Sequence, residues 1–302
     1  MIQTSTAPKV NERELRAVES VSVERLANSD AAEVLNFLSK RPIHTIAMMG
    51  LINDNGIVSP FNRGTFYGCR DLNGQLEGVA LVGHATLMET VSDRALAALA
   101  QIARECPNMH MIMGEKERVA DFWSHYEETG RRQRFACREW LFELSWPVEA
   151  RERVADLRPA TVNELVLVMP VQAELAYAES GVNPLEVDPQ GFRERCLRRI
   201  EQGRTWVVVE NGLLVFKADV ISKTPEVNYL EGIWLREDRR NKNLGTRFMS
   251  ELMRQLLENT KSICLLVNET NEWAQGFYRK CGFHFRATYE TIFLPRKEPA
   301  QN

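Results

Sequence analysis

The 302-residue sequence contains no uninterrupted apolar run near the about 18 residues that a helix needs to cross a bilayer. Its first twenty residues carry Lys9, Glu12, Arg13, Glu14, Arg16 and Glu19, which breaks up the apolar stretch a secretion signal requires. A cytoplasmic protein that does not use a membrane is the expectation. There is no CxxC pair and no Cys/His cluster. The six cysteines, Cys69, Cys106, Cys137, Cys196, Cys264 and Cys281, and the five histidines are scattered, so no metal site is expected and the thiols read as reduced and mostly core. Neither sign of charge dominates. With 38 Lys+Arg against 41 Asp+Glu the net charge is −3, which argues against nucleic acid as a partner. What is present, 44% apolar and 26% charged residues, is the composition of a globular chain able to bury a core, and the length suits about two domains.

Apolar residues recur at helical spacing from Asp30 to Leu38 and from His44 to Ile52, with Arg41-Pro42 between them. The segments Thr65 to Arg70 and Leu76 to Gly83 flank Asp71-Leu-Asn-Gly74 and predict a β-hairpin. A helix over Arg94 to Arg104, a strand over Met109 to Met113, a helix over Arg118 to Glu128 and a closing strand over Glu139 to Trp146 follow. Pro147 and the charged stretch Glu149 to Arg153 then mark a boundary. Beyond it, nearly the same order returns. Helices are expected at Thr161 to Ala178 and Pro189 to Gln202, then strands at Thr205 to Glu210, Leu213 to Ile221 and Asn228 to Leu235. A helix over Leu244 to Asn259, a strand over Ser262 to Val267, a helix over Glu272 to Cys281 and a strand around Phe285 to Leu294 complete it. The division is a tail at 1–29, a first domain at 30–148 and a second at 153–302.

Chemistry concentrates in the second domain. Between Arg236 and Arg247 lie five cationic and two anionic side chains, in a polar turn that leads from a strand into a helix. Unbonded amides at a helix start, with the positive end of its dipole, make an anion site. Downstream, Asn271-Glu-Trp-Ala-Gln-Gly-Phe-Tyr-Arg-Lys-Cys-Gly-Phe283 follows a strand ending at Asn268. The two stretches, Arg240-Asn-Lys-Asn-Leu-Gly245 and then Asn271, Ala274, Tyr278, Gly282 and Phe283, together resemble the motifs of the GNAT superfamily of acyl-CoA-dependent N-acyltransferases. The resemblance covers about Leu157 to Leu294. It departs from the pattern where Asn243 replaces the first motif glycine and where Glu237 replaces a proline. Asn tolerates the left-handed backbone better than other residues that carry a side chain.

The resemblance implies an α/β (α+β) fold of two GNAT-like domains in tandem, each a mixed, mostly antiparallel sheet flanked by helices, the first without the coenzyme motif. It implies acetyl-CoA as acyl donor, held where two parallel strands ending near Leu235 and Val267 splay apart. Backbone at Ile233, Trp234 and Leu235 would meet the pantetheine arm. The loop Arg240, Asn241, Lys242, Asn243, Leu244, Gly245 and Thr246 would meet the pyrophosphate, with Asn271, Ala274 and Tyr278 completing the cofactor contacts. Tyr278 is expected to protonate the departing thiolate. Glu231 is the expected base for an amine acceptor, and strand alternation puts it on one face with Ile233 and Leu235. Glu174, Tyr177, Glu179 and Ser180 to Pro184 would border the acceptor channel. Two alternatives stay open: a coenzyme-binding regulatory or assembly module with lapsed activity, and a tandem enzyme acting on a small amine metabolite, as mycothiol synthase does.

Overall fold

The computed structural model of the protein describes residues 21–127, 130–149 and 151–295. The first twenty residues of the expected tail, and the Glu128 end of a predicted helix, lie outside these. Residues 22–25 of that tail form a strand, β1 (Ser22–Arg25), paired antiparallel with β2 (Gly64–Arg70). Between them run α1 (Ala31–Leu38) and α2 (Pro42–Asn55). Pro42 opens α2 where a helix amide has no partner anyway, and Gly56 ends it at φ +78°. The predicted hairpin joins β2 to β3 (Leu76–Gly83), its turn held by the Asp71 carboxylate, which accepts from the amides of Asn73 at 2.9 Å and Gln75 at 2.8 Å. A strand absent from the sequence reading follows, β4 (Ala85–Thr90), then α3 (Asp93–Arg104), β5 (Met111–Glu115), α4 (Lys116–Tyr126) and β6 (Phe135–Ser145).

The second half repeats this order with β7 (Arg158–Pro159), α5 (Leu165–Ser180), a short α6 (Pro184–Val187), α7 (Pro189–Glu201), β8 (Thr205–Glu210), β9 (Leu213–Lys223), β10 (Val227–Leu235), α8 (Leu244–Leu257), β11 (Ser262–Asn268), α9 (Glu272–Lys280) and β12 (His284–Phe293). The mixed, mostly antiparallel sheets of the two halves are continuous. Their order is β1-β2-β3-β4-β5-β12-β6-β11-β10-β9-β8-β7. Side-chain alternation divides the helices between two faces. On one, Val34 of α1, Met48 of α2, Val168 of α5 and Phe192 of α7 enter the core; on the other, Leu99 of α3, Phe122 of α4, Leu252 of α8 and Ala274 of α9 do so.

The order records an exchange. Strand β6, which ends the first half, pairs antiparallel with β11 over seven residues, from Ser262 opposite Ser145 to Asn268 opposite Glu139. Strand β12, which ends the second half, pairs with β5 of the first. A core shared by both halves lies over this crossing, where Ile46 of α2 packs with Leu141, Val227, Tyr229, Cys264 and Tyr289. Ion pairing ties the end of α2 to the start of β8 in the second half, Arg204 Nη2 donating to Asp54 Oδ1 at 2.6 Å. Residues 151–302 expressed alone would leave β11 without its β6 partner and strand β12 without β5. The expected outcome is an aggregated or unfolded fragment that becomes soluble and cooperative when co-expressed with residues 1–150, measured by gel filtration and thermal melting. A monomeric fragment with a cooperative melt would contradict it.

Candidate active site

Strands β10 and β11 run parallel and pair only from Val227 opposite Ser262 to Leu230 opposite Leu265. Beyond that point they part, while β10 stays paired with β9 as far as Leu235 and β11 stays paired with β6 as far as Asn268. The sheet therefore opens as a V, and the edge of β10 that faces β11 has no sheet partner over residues 231–235. Ile233, Trp234 and Leu235 all lie along this edge.

Within the V, Gly232 at φ +59° starts a bulge that sets three steps of β10, Glu231 to Trp234, against two of β9, Asp219 to Lys217. The extra residue breaks the alternation expected from the sequence. Ile233 and Leu235 pack with α8, in the core on one face, whereas Trp234 packs with α5 and α7 on the other. Glu231, two residues after Tyr229 of the α2 core, shares the second face. A Cβ at position 232 would sit 2.8 Å from Lys217 Nζ, so only glycine fits the bulge.

Lys217 anchors that bulge. It is fully buried and donates to the Gly232 carbonyl at 3.2 Å, to Asp219 Oδ2 at 2.6 Å and to Gln172 Oε1 of α5 at 2.6 Å. Asp219 also accepts from Thr205 Oγ1 at 2.7 Å and Arg199 Nη1 at 3.0 Å. Burial pushes the Asp219 carboxyl up, but Lys217 and Arg199 outweigh it and hold the group below its usual value.

Glu231 is exposed to solvent, yet burial pushes its carboxyl up, against the phenol of Tyr229 and the charge of Arg199. Both facts hold for a side chain in the open cleft of the V, which solvent enters while Tyr229 and Arg199 act on it. Glu179 of α5 has the same character. Glu139, delivered by the exchanged strand β6, is half-buried, accepts from Thr291 Oγ1 at 3.1 Å, and is pushed up by burial and by Glu231. None of these carboxylates was legible as a group in the sequence, because the strand pairing that assembles them is non-local. Among the described residues, no group of three or more His, Cys, Asp or Glu is placed to hold a metal ion.

On the opposite face, α8 begins at the mouth of the V. Asn241 and Asn243 take left-handed backbone, at φ +61° and +57°, and the Asn243 side chain does not cap the helix. Asparagine thus adopts at position 243 the backbone that glycine adopts freely. Leu244, Gly245 and Thr246 form the first turn, whose amides point out of the helix without intrahelical partners. Of the five cations in this segment, Arg236 pairs with Asp238, Arg239 with Glu210 and Arg247 with Glu152. Arg240 donates Nε to the Leu235 carbonyl at 3.1 Å, and neither it nor Lys242 forms an ion pair among the described residues. Arg236 Nη1, Arg239 Nε and Arg247 Nε are buried without acceptors. Gly245 brings α8 against α9: an added Cβ would lie 3.1 Å from Phe277 Cε2.

Asn271 caps α9, accepting from the Ala274 amide at 3.0 Å, and Ala274 is in the core. Tyr278 packs edge-on against Phe277 and Phe283, with ring centroids 5.4 Å and 5.9 Å away. Its hydroxyl has no hydrogen-bond partner among the described residues. Burial pushes the phenol well above its usual value, with Cys281 and then Glu179 adding to the shift. Tyr278 and Glu179 come from helices on opposite faces of the sheet, so that influence passes through the V.

The first half has a second V that is furnished differently. Strands β4 and β5 pair only at Ala85 opposite Met111 and Thr86 opposite Ile112. Arg41 then bridges the gap, its guanidinium 3.1 Å from Glu89 and 2.7 Å from Glu115. Helix α3 is capped by Ser92 Oγ, which accepts from the Ala95 amide at 3.2 Å and donates to Glu77 at 2.7 Å. An acidic, capped helix start offers an anion nothing.

Residues 174–283 match the model of the acetyltransferase (GNAT) family. No curated protein sequence matches the chain. Among solved structures, the fold is similar to that of a Drosophila protein, with a TM-score of 0.65 at 11% identity over 91% of this chain and 99% of that one. It is also similar to an acetyltransferase of the GNAT family from Colwellia psychrerythraea, with a TM-score of 0.58 at 11% identity over 91% and 100%. A tandem GNAT protein from the clavulanic acid biosynthesis pathway gives 0.55 at 13% identity over 93% and 100%. At these identities the likeness is one of fold. The second half carries a GNAT acetyltransferase domain, and the whole chain has the layout of a tandem of such folds.

Proposed function

We propose that the protein is an acetyl-CoA-dependent N-acetyltransferase, passing the acetyl group directly from the thioester to an amine acceptor, and that it works in the cytoplasm. The observation that carries this reading is the coincidence of the V between β10 and β11 with the uncapped start of α8. The donors there suit a diphosphate: the free amides of Leu244, Gly245 and Thr246, and two cations, Arg240 and Lys242, without ion pairs among the described residues. Acetyl-CoA would supply the acyl group on a thioester, and Asn271, Ala274 and Tyr278 of α9 would form the far wall of its slot.

The chain's own groups account for the remainder. The unpaired edge of β10 at Ile233, Trp234 and Leu235 offers backbone donors where negative charge develops on the carbonyl oxygen. An amine is mostly an ammonium ion at neutral pH and must lose a proton before it attacks. Glu231, on the other face of the sheet, would take that proton directly or through water. Tyr278, protonated throughout the physiological range, would give a proton to the departing sulfur.

Isothermal calorimetry with acetyl-CoA, and thiol release in the presence of a panel of primary amines, test the reading. The charge reversal Arg240→Glu/Lys242→Glu is expected to weaken acetyl-CoA binding by about tenfold or more, since each cation lost removes a charge-assisted contact. Unchanged affinity in this variant would count against the phosphate loop. Tight binding with no thiol release on any amine would favour a regulatory module.

A further inference from the structure

A cavity lies between α2 and the sheet. It crosses six neighbouring strands, from β4 of the first half to β10 of the second, with Glu89 and Glu115 in its wall at one end and Leu141, Leu266 and Tyr229 at the other. The acidic end lies in the V of the first half. Strands β4 and β5 stop pairing after Thr86 opposite Ile112, so their facing edges over residues 87–90 and 113–115 have no sheet partner, and these residues line the cavity. A gap of this kind is ordinarily filled by side chains of the overlying helix, because buried backbone groups need partners and interiors are close-packed. Here α2 presents Ile43, Ile46 and Ala47, which cover the gap without filling it.

The polar groups converge at the acidic end. Glu89 accepts from Arg41 Nη1 at 3.1 Å, and Glu115 accepts from Arg41 Nη2 at 2.7 Å. The Arg41 side chain is 37% exposed, against 9% and 23% for the two carboxylates, so it closes the mouth from the solvent side. Two carboxylates offer about eight acceptor positions, and the Arg41 guanidinium fills three of them. Tyr289 and His44 occupy each other, the phenol oxygen lying 3.0 Å from Nδ1, and burial pushes the imidazole down, which keeps it uncharged at pH 7. Arg118, also in the wall, lies 3.5 Å from the exposed Asp93. Burial pushes the Glu89 carboxyl up, and neither Arg41 nor Arg118 offsets it.

We propose that this cavity is a binding site for a slender aliphatic amine, its ammonium held by Glu115 and Glu89 in the V of the first half and its unbranched chain lying under α2 toward Leu141 and Leu266. An ammonium carries three donors and no acceptor, which matches an end supplied with acceptors, and a further cation is what two carboxylates sharing one guanidinium lack. The chain is selected by width. The free volume is about 40 Å³, against roughly 150 Å³ for an apolar cavity that admits benzene, so a straight chain enters and a ring or a branched group does not. Met48, Met88 and Met113 in the walls are unbranched and adaptable, and can shift to extend the cavity along its length. The site goes beyond the transfer reading and does not depend on it: β5 and β10 stand four strand spacings apart, about 19 Å, so the ammonium is held away from the V of the second half. An occupant ties β4 to β5 and the first half to the second, and so stabilises the chain.

Calorimetry and thermal melting with n-propylammonium chloride, without acetyl-CoA and at fixed ionic strength, test the site. n-Propylammonium is expected to bind with a Kd of about 1 mM and to raise the melting temperature, with tert-butylammonium, 1-propanol and propionate each weaker by about tenfold or more. Glu115→Gln, which keeps the shape and removes one charge, should weaken n-propylammonium by about tenfold. Ala47→Leu should abolish binding by filling the cavity, its cooperative melt showing that it folds. Glu231→Gln should leave the affinity within about twofold, since that residue lies in the other V. Binding of 1-propanol as tight as that of n-propylammonium overturns the inference. So does affinity that is lost in Glu231→Gln and kept in Glu115→Gln, or an unaltered protein that shows neither heat nor a shift in melting temperature up to about 50 mM amine. None of these outcomes bears on acetyl-CoA binding or thiol release, so the transfer reading stands or falls apart from them.

Discussion

Lys217→Met is expected to destabilise the protein by about 3–5 kcal/mol, with the melting temperature falling by about 10 °C. The pair it breaks is fully enclosed, both Lys217 and Asp219 being at or below 1% exposure. Removing the cation does not return Asp219 to water. It leaves a buried carboxylate with only Arg199 and Thr205, and it strips the Gly232 carbonyl and Gln172 of their donor. The penalty is therefore the desolvation of a charge whose compensation is gone rather than the loss of one attraction. Lys217→Met/Asp219→Asn should recover part of the loss, because the orphaned charge is removed with its partner. Denaturant and thermal unfolding measure both variants, and a Lys217→Met protein within about 1 kcal/mol of the original would refute the account.

Tyr278→Phe is expected to do the reverse, lowering kcat by about 100-fold while leaving stability and acetyl-CoA affinity nearly unchanged. The hydroxyl has no hydrogen-bond partner among the described residues, so its removal orphans nothing. The ring contacts with Phe277 and Phe283 survive in phenylalanine. What disappears is a proton held by a phenol that burial keeps neutral. Steady-state thiol release against thermal melting separates the two quantities. A variant with full kcat would remove Tyr278 from the chemistry, and one with a much lower melting temperature would reassign it to packing.

Local signals carried much of this architecture. Pro42 and Gly56 bracket α2, Asp71 to Gly74 turn the hairpin, and the paired motifs around Asn243 and Tyr278 lie at the start of α8 and on α9, bordering the V. The misses share a cause. Strand β4 folds back antiparallel on β3 through a reversal at residues 82–86 that has no Asn-Gly turn sequence, and β1 is held by its pairing with distant β2. Strand alternation misplaced Glu231 relative to Ile233 and Leu235 because it assumes one residue per step, and Gly232, an interior strand glycine, was the only local hint of a bulge. The partner of β11 was beyond reach. Register between segments more than a hundred residues apart is decided by which faces they can bury together, and periodicity within either segment is silent on that. Glu139 entered the cleft unannounced for that reason.

The pairing of β6 with β11 also bears on what the first half is for. A half whose helix start is acidic and capped, and whose own gap is bridged by Arg41, has no visible use for a coenzyme. Its terminal strand nevertheless supplies a wall and a carboxylate to the V of the second half. A repeat without an anion site at its helix start is therefore not dispensable: mutations along 139–145 are expected to disturb the V of the other repeat, and the two can diverge in sequence only as far as their shared ladder permits.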